Sequence, residues 1–188
     1  NAKELDQRDA AARKLAGAHG QYAVPALVAF LGNSDVDTRA NAILALTRIG
    51  SDAVLPLAAS IGTGNDMQKQ NTVKLLQRIG DERSEPAIAK ATGDKAGAAQ
   101  KYMAMAKKYF LGDQMTVKAF DRSFAIWSVK DGALAGRDVA RFVYNYELAE
   151  QAAYDALALD PSMKDARAMI ALVGCAEQVA YDNLSDEA

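Results

Sequence analysis

The stretch "LTRIGSDAVLPL", Leu46 to Leu57, ends one helix and begins another within a few residues. Gly50 suits the position just past a helix, where the backbone adopts a left-handed conformation that glycine tolerates best. Ser51 and Asp52 are residue types that cap a helix N-terminus, and Pro56 suits a first helical turn because that turn needs no backbone donor. The stretch therefore predicts two helices that meet at a tight corner.

The corner pattern recurs at a constant interval. Glycines at positions 20, 50 and 80 lie 30 residues apart, and Pro25, Pro56 and Pro86 follow them. In "LQRIGDERSEPA", Leu76 to Ala87, Asp81 takes the capping place. A fixed period of this length is typical of stacked repeats, so the first half predicts three units of helix, corner and helix. The units close at "GNSD" (32–35), "GTGND" (62–66) and "TGD" (92–94).

Each predicted first helix carries one apolar face, because its apolar residues recur at spacings of three and four. We expect these faces to pack together as the core. Arg48 and Arg78 fall in last helical turns, where a cation complements the helix dipole. The apolar positions are Ala42, Ala45, Leu46 and Ile49 in the second unit, and Val73, Leu76 and Ile79 in the third.

The second unit resembles the HEAT family of α-solenoids, in the short bacterial form also found in phycobilisome-lyase-like proteins. The third unit has Lys69 for the family's arginine and Thr72 for its first alanine, and the first has Asp9 and His19 in the Arg and Ile places. The resemblance covers residues 1–93 and implies an all-α, right-handed solenoid of stacked antiparallel helix pairs. Its matching residues are Asp35, Arg39, Ala42, Ala45, Leu46, Ile49, Gly50 and Pro56.

The second half loses the glycine and proline period and gains aromatic residues, but helical spacing persists. Val117, Phe120, Phe124 and Trp127 step by three and four, and we interpret this stripe as core rather than as the floor of a ligand groove. Breaks at 111–114, 130–136 and 159–162 then predict about five helices.

Within that half, "LAEQAAYDALALDPSMKDARAMIAL", residues 148–172, resembles a tetratricopeptide helix that runs into the next repeat. Ala133, Arg137 and Ala140 depart from the family pattern, so the resemblance implies a single such repeat. Residues 94–188 are therefore expected to form a tetratricopeptide-like region, stacked continuously on the first. The matching residues are Ala149, Ala156, Pro161, Ile170 and Ala171.

The sequence offers little material for catalysis. His19 is the only histidine, which excludes a cluster of several histidines around a metal within these residues. We interpret His19 as a helix-end residue rather than as the base of a Ser/His/Asp triad. Cys175 lies in an apolar stretch and is expected to be a small buried residue rather than a reactive thiol. We therefore predict a non-catalytic protein without cofactor or metal.

Charge and hydropathy limit the expected partners. The net charge of −2 argues against a broad nucleic-acid surface. Residues 95–141 hold nine Lys and Arg against four Asp, whereas 147–188 hold two basic and nine acidic residues. These segments are expected to neutralise each other across adjacent layers or, alternatively, to dock a basic partner. No run of about 18 apolar residues occurs, so no membrane span is predicted.

The resemblance implies a protein–protein interaction scaffold, because stacked repeats offer an extended surface lined by second helices. The expected partner is a protein, a peptide or further repeats of a larger parent, since the chain begins at Asn1 rather than Met. Gln21, Asp52 and Arg83, expected to be exposed near second-helix starts, are the predicted contacts. The alternative is a HEAT-like enzyme or chromophore-handling protein, bilin lyase-like or DNA glycosylase-like. The compartment stays open, with the cytoplasm slightly favoured over the periplasm or secretion.

Overall fold

The structure is a computed structural model that describes residues 2–114, 116–117 and 124–186. Within those residues the chain is mostly helical and folds into two compact units. The first unit comprises Asn1–Ala91 and Trp127–Gly136, and the second comprises Thr92–Ile126 and Arg137–Ala188. The elements are α1 (Ala2–His19), α2 (Val24–Val28), α3 (Val36–Ile49), α4 (Val54–Ser60), α5 (Asp66–Ile79), α6 (Glu85–Ala91), α7 (Lys95–Phe110), β1 (Ala125–Lys130), β2 (Ala133–Asp138), α8 (Tyr144–Leu159) and α9 (Lys164–Asp186).

The first unit contains the three predicted helix pairs. Each pair meets at a short 3₁₀ corner, at Gly20–Ala23, Gly50–Ala53 and Glu82–Ser84. The first helices α1, α3 and α5 pack on one another in that order, and the second helices α2, α4 and α6 do the same. The predicted fold class, a helical repeat solenoid, is confirmed.

Glycine and proline act at the corners as the sequence predicted. Gly50 and Gly80 have φ angles of 67° and 69°, a region in which any other residue would be strained. Pro25 and Pro86 are the second residues of α2 and α6, and Pro56 is the third residue of α4. All three prolines therefore lie in first helical turns, where the missing N–H costs no hydrogen bond.

The capping residues are only partly those that the sequence indicated. The Asp81 carboxylate accepts a hydrogen bond from the Arg83 N–H, as a cap should. The prediction for Ser51 and Asp52 is wrong, because the 3₁₀ corner starts directly at Gly50 and moves the cap positions to Ile49 and Ala53, which make no capping side-chain bond. The helices after the repeat-closing turns are capped by Asp35, Asn65 and Asp94, which accept hydrogen bonds from the N–H groups of Thr38, Gln68 and Gly97.

The core of the first unit forms where the apolar faces of neighbouring pairs meet. Leu46 and Leu76, one from each predicted face, are fully buried at 0% exposure. The second helices contribute Val24, Val54 and Leu57, which are equally buried. The predicted inner face of α3 is therefore confirmed. On α5, Leu76 is buried as predicted, but Val73 and Ile79 are only partly buried against the same cluster, which joins all three pairs.

Among the described helical residues, one stretch, Val36–Ser60, is long and apolar enough by composition to cross a membrane, with a mean hydropathy of 1.4. The sequence had predicted no such span. In the structure the chain turns at Gly50, so the stretch forms the separate helices α3 and α4 rather than one rod. Its apolar residues supply much of the core, which gives its hydropathy a structural explanation.

The second unit is built from α7, α8 and α9, which pack on one another. The predicted break at 159–162 is where α8 ends and the chain turns into α9, with the Asp160 carboxylate accepting bonds from the backbone and hydroxyl of Ser162. One tilted and two edge-to-face aromatic pairs support the packing. They are Phe110 with Tyr146, Phe124 with Tyr144, and Phe142 with Tyr181.

The predicted helix through Trp127 is wrong, because Trp127 lies on β1 of a two-stranded hairpin. Asp131 and Gly132 form its turn, with φ angles of 52° and 78°. Positive φ at both central residues is the signature of the tight turn that matches strand twist, and Asp-Gly favours it. Trp127 is nevertheless core, as expected, at 3% exposure. Phe120, from the same predicted stripe, lies outside the described residues.

The prediction for Cys175 is also wrong, since its side chain is exposed on α9. The face of α9 that packs inward carries Ala166, Met169 and Val173 instead. Cys175 is only two residues from Val173 and so points to another side of the helix. An apolar sequence neighbourhood therefore does not fix the side on which a residue lies.

We predict that Leu46→Ala lowers the free energy of unfolding by about 2–5 kcal/mol, because it leaves a cavity between neighbouring pairs. Leu5→Ala is the matched control, since Leu5 is 64% exposed on α1 and its truncation should change little. Urea unfolding followed by circular dichroism measures both values. Equal stability of the two variants would contradict the assigned inner face.

Candidate interaction surface

The three 3₁₀ corners lie along one edge of the first unit, and we call residues 20–23, 50–53 and 82–84 the corner edge. The first corner contacts the second directly. The third corner is hydrogen-bonded to the second through Arg83. Because each corner belongs to a different helix pair, the edge runs across the repeats.

Arg83 is the polar link between the second and third corners. Its Nη2 donates a hydrogen bond of 2.8 Å to the backbone carbonyl of Ser51. Its Nε and Nη2 also bond the two carboxylate oxygens of Asp81, at 2.9 and 2.7 Å. The Arg83 side chain is only 4% exposed, so its charge depends on these partners for the interactions that water would otherwise supply.

The first corner is covered by the hairpin. Trp127 Nε1 donates a hydrogen bond of 2.7 Å to Gln21 Oε1, and the indole lies 5.9 Å from the Tyr22 ring. Gly136 on β2 makes room for the indole, because a Cβ there would come within 3.0 Å of it. Leu134 adds an apolar contact to the core cluster.

The three residues predicted to contact a partner differ in how exposed they are. Asp52 is exposed, as expected. Gln21 and Arg83 are each only 7% exposed, so the expectation that they lie on the surface is wrong. The physical reason is that each bonds a neighbouring segment of the first unit, the hairpin for Gln21 and the second corner for Arg83. Their part in partner binding stays a prediction.

A groove opens between the second and third corners, and we call it the corner groove. Its volume is about 420 Å³. Arg78 is exposed there and forms no ion pair with any described residue, while Ile79 gives the groove an apolar, partly exposed wall. The lining residues are Thr47, Gly50, Ser51, Arg78, Ile79, Gly80 and Asp81.

The opposite edge of the unit holds the turns that join one pair to the next. Asn71 donates a hydrogen bond of 2.8 Å to the Leu31 carbonyl, and Asn65 donates one of 3.1 Å to Gly32. These bonds hold the start of α5 against the turn after the first pair. They stabilise the stack from the side away from the corner groove.

A carboxylate cluster lies in the second unit. Glu177 Oε1 on α9 is buried and has no hydrogen-bond partner among the described residues. Burial is the main cause that raises the pKa of Glu177, followed by the charges of Glu147 and Glu150, while Arg137 opposes the shift. Arg137 is itself bonded to Glu147, with Nη1 at 3.0 Å from Oε1. Positive charge nearby therefore does little to stabilise the ionised carboxylate of Glu177.

No group of three His, Cys, Asp or Glu residues that could hold a metal ion occurs in the part of the chain that the structure describes. The lone histidine, His19, is exposed in the last turn of α1. Lys107 and Asp165, 3.6 Å apart, give one case in which the basic and acidic segments neutralise each other.

The comparisons with known proteins bear on the first unit. Residues 3–67 match a family model described as HEAT repeats, a span that runs from α1 to the start of α5. Neither the curated proteins nor the solved structures gave a match. Over residues 3–67 the chain is similar to HEAT repeats, and the predicted resemblance is confirmed there. The lyase-like form and the tetratricopeptide-like region stay predictions.

We predict that Arg83→Met lowers the free energy of unfolding by about 3–5 kcal/mol, because it leaves the Asp81 carboxylate without its buried partner. Lys69→Met is the control, since Lys69 and Asp66 form a loose, exposed pair at 4.0 Å and such pairs contribute little. Thermal unfolding by calorimetry measures both variants. A melting temperature for Arg83→Met as high as that of the control would show that the contacts of Arg83 contribute little to stability.

We predict that Glu177→Gln stabilises the protein at neutral pH. The pKa of Glu177 in the folded state lies above its ordinary value of 4.5, so the folded state binds this proton more readily than the unfolded state. The unfavourable contribution of Glu177 to the unfolding free energy should therefore diminish as the pH falls toward 4.5, and the advantage of the variant over the wild type should shrink. Asp165→Asn, on an exposed site of the same helix, should show no such gain. Urea titrations across this pH range would refute the assignment if Glu177→Gln were less stable than the wild type throughout.

Proposed function

We propose that the chain is a non-catalytic scaffold that binds other proteins. HEAT repeats typically serve this role, and residues 3–67 are similar to them. The observation that carries the proposal is the stack itself, in which helix pairs share one core and present an edge that runs across all three of them. A surface built from successive repeats suits an extended partner.

The corner edge is the part of the unit that best fits partner contact. The second helices are short, and α4 has no exposed residue, so they offer less surface than the sequence led us to expect. At the corner edge, Tyr22 is 46% exposed and Asp52 is also exposed. Aromatic side chains at a partly exposed edge are common anchors in protein interfaces.

The tetratricopeptide-like reading of residues 148–172 extends the proposal to the second unit. The support for it is that α8 and α9 pack on each other and are joined by a turn of only four residues, 160–163. Such a helix pair is the building block of tetratricopeptide arrays. We propose that it provides a second, separate place for a protein or peptide partner.

Affinity capture with the immobilised chain tests the scaffold proposal. We expect a protein to co-purify in a fixed ratio and to be competed away by free chain. The double variant Tyr22→Ala, Asp52→Lys should lower its recovery about tenfold, in line with loss of an interface anchor. Asp66→Lys, a charge reversal at an exposed position on the opposite edge, should leave recovery unchanged.

The same preparation tests the alternative functions. Retardation of labelled DNA or a shift in bilin absorbance, with no protein captured at a fixed ratio, would contradict the scaffold proposal. Equal loss of the partner with the corner-edge variant and with Asp66→Lys would place the contact elsewhere.

A further inference from the structure

The first corner shows one position of the corner edge that is already covered by another part of the first unit. Because the repeat length is 30 residues, Gln21 in the first corner corresponds to Ser51 in the second and Asp81 in the third. Gln21 receives the indole N–H of Trp127 at 2.7 Å. Ser51 and Asp81 both line the corner groove. On the first corner, this position therefore lies under an aromatic side chain of the hairpin, whereas Ser51 O and the Asp81 carboxylate are bonded by Arg83.

A second correspondence concerns charge. Arg48 in the last turn of α3 corresponds to Arg78 in the last turn of α5. Arg48 Nη2 forms an ion pair with Asp9 of α1 at 2.6 Å. The residue of α3 that corresponds to Asp9 is Arg39, whose guanidinium instead bonds the Asn33 carbonyl. Arg78 therefore lacks the carboxylate that its counterpart has, and it forms no ion pair within the described chain.

The apolar part of the groove follows the same pattern. Ile49 is buried at 8% exposure in a cluster against which Leu134 of the hairpin packs. Its counterpart Ile79 is partly exposed on the groove wall. Gly50 and Gly80 flank the opening, and a Cβ built on either would meet no atom closer than 4.0 Å. The groove therefore has open space beside an apolar wall.

We propose that the corner groove binds a peptide segment of the partner protein that carries an aromatic side chain next to a carboxylate. The inference rests on the proposed scaffold function and names the chemistry of its partner. The aromatic ring covers Ile79, as hairpin residues cover the first corner, and the carboxylate pairs with Arg78, as Asp9 pairs with Arg48. The groove volume of 420 Å³ falls within the range of about 300–1,000 Å³ that is typical of ligand pockets.

Selection from a random linear peptide library displayed on phage, with the full chain as bait, tests the proposal. We expect enriched peptides to combine Trp, Tyr or Phe with Asp or Glu. The most enriched peptide, synthesised with a fluorescein label, should bind the wild type in fluorescence anisotropy. Its affinity should fall at least about tenfold with Arg78→Glu and when its aromatic residue is replaced by alanine.

Lys90→Glu is the matched control, because it makes the same charge reversal at an exposed position on α6 that does not line the groove. It should leave the affinity within about twofold of the wild type, and circular dichroism should show that both variants fold. Enriched peptides that bind Arg78→Glu as tightly as the wild type would overturn the groove assignment while leaving the scaffold proposal intact. Enrichment of basic peptides would overturn the stated chemistry. If no peptide is enriched and affinity capture also yields no partner, the scaffold function itself fails.

Discussion

Burial between neighbouring helix pairs is the constraint on which the first unit depends. Leu46, Val54 and Leu57 of the pair α3 and α4 are fully buried in a cluster that also contains residues of the pairs before and after. Each pair therefore gains much of its stability from its neighbours, as in other linear repeat proteins. The corner edge exists because this stacking sets three corners side by side.

Polar contacts then decide how the corners differ. Arg83 holds the third corner to the second, and the hairpin covers the first through Trp127 and Gln21. The groove beside Arg78 is open. The described corners of a regular stack thus differ in how they are covered, and this difference supports a specific rather than a general binding surface.

The regular features could be predicted from sequence because they rest on local chemistry. Gly50 and Gly80 indicate backbone conformations that few other residues tolerate, and the prolines indicate first helical turns, which need no N–H donor. The apolar spacing of α3 and α5 indicates a buried face. The hairpin was missed because Trp127 also fits a helical stripe, although Asp131-Gly132 between two short apolar runs was the available signal. The burial of Gln21 and Arg83 depends on contacts with segments far along the chain or in another repeat, which no local pattern specifies.

Amide hydrogen exchange of the intact chain tests the shared-core account most directly. The middle pair, α3 and α4, packs against a pair on each flank, so its amides should exchange more slowly than the corresponding amides of α1 and α2, which contact one neighbouring pair within the described residues. Exchange in α3 and α4 that is as fast as in α1 and α2 would contradict the claim that each pair is stabilised by the pairs beside it.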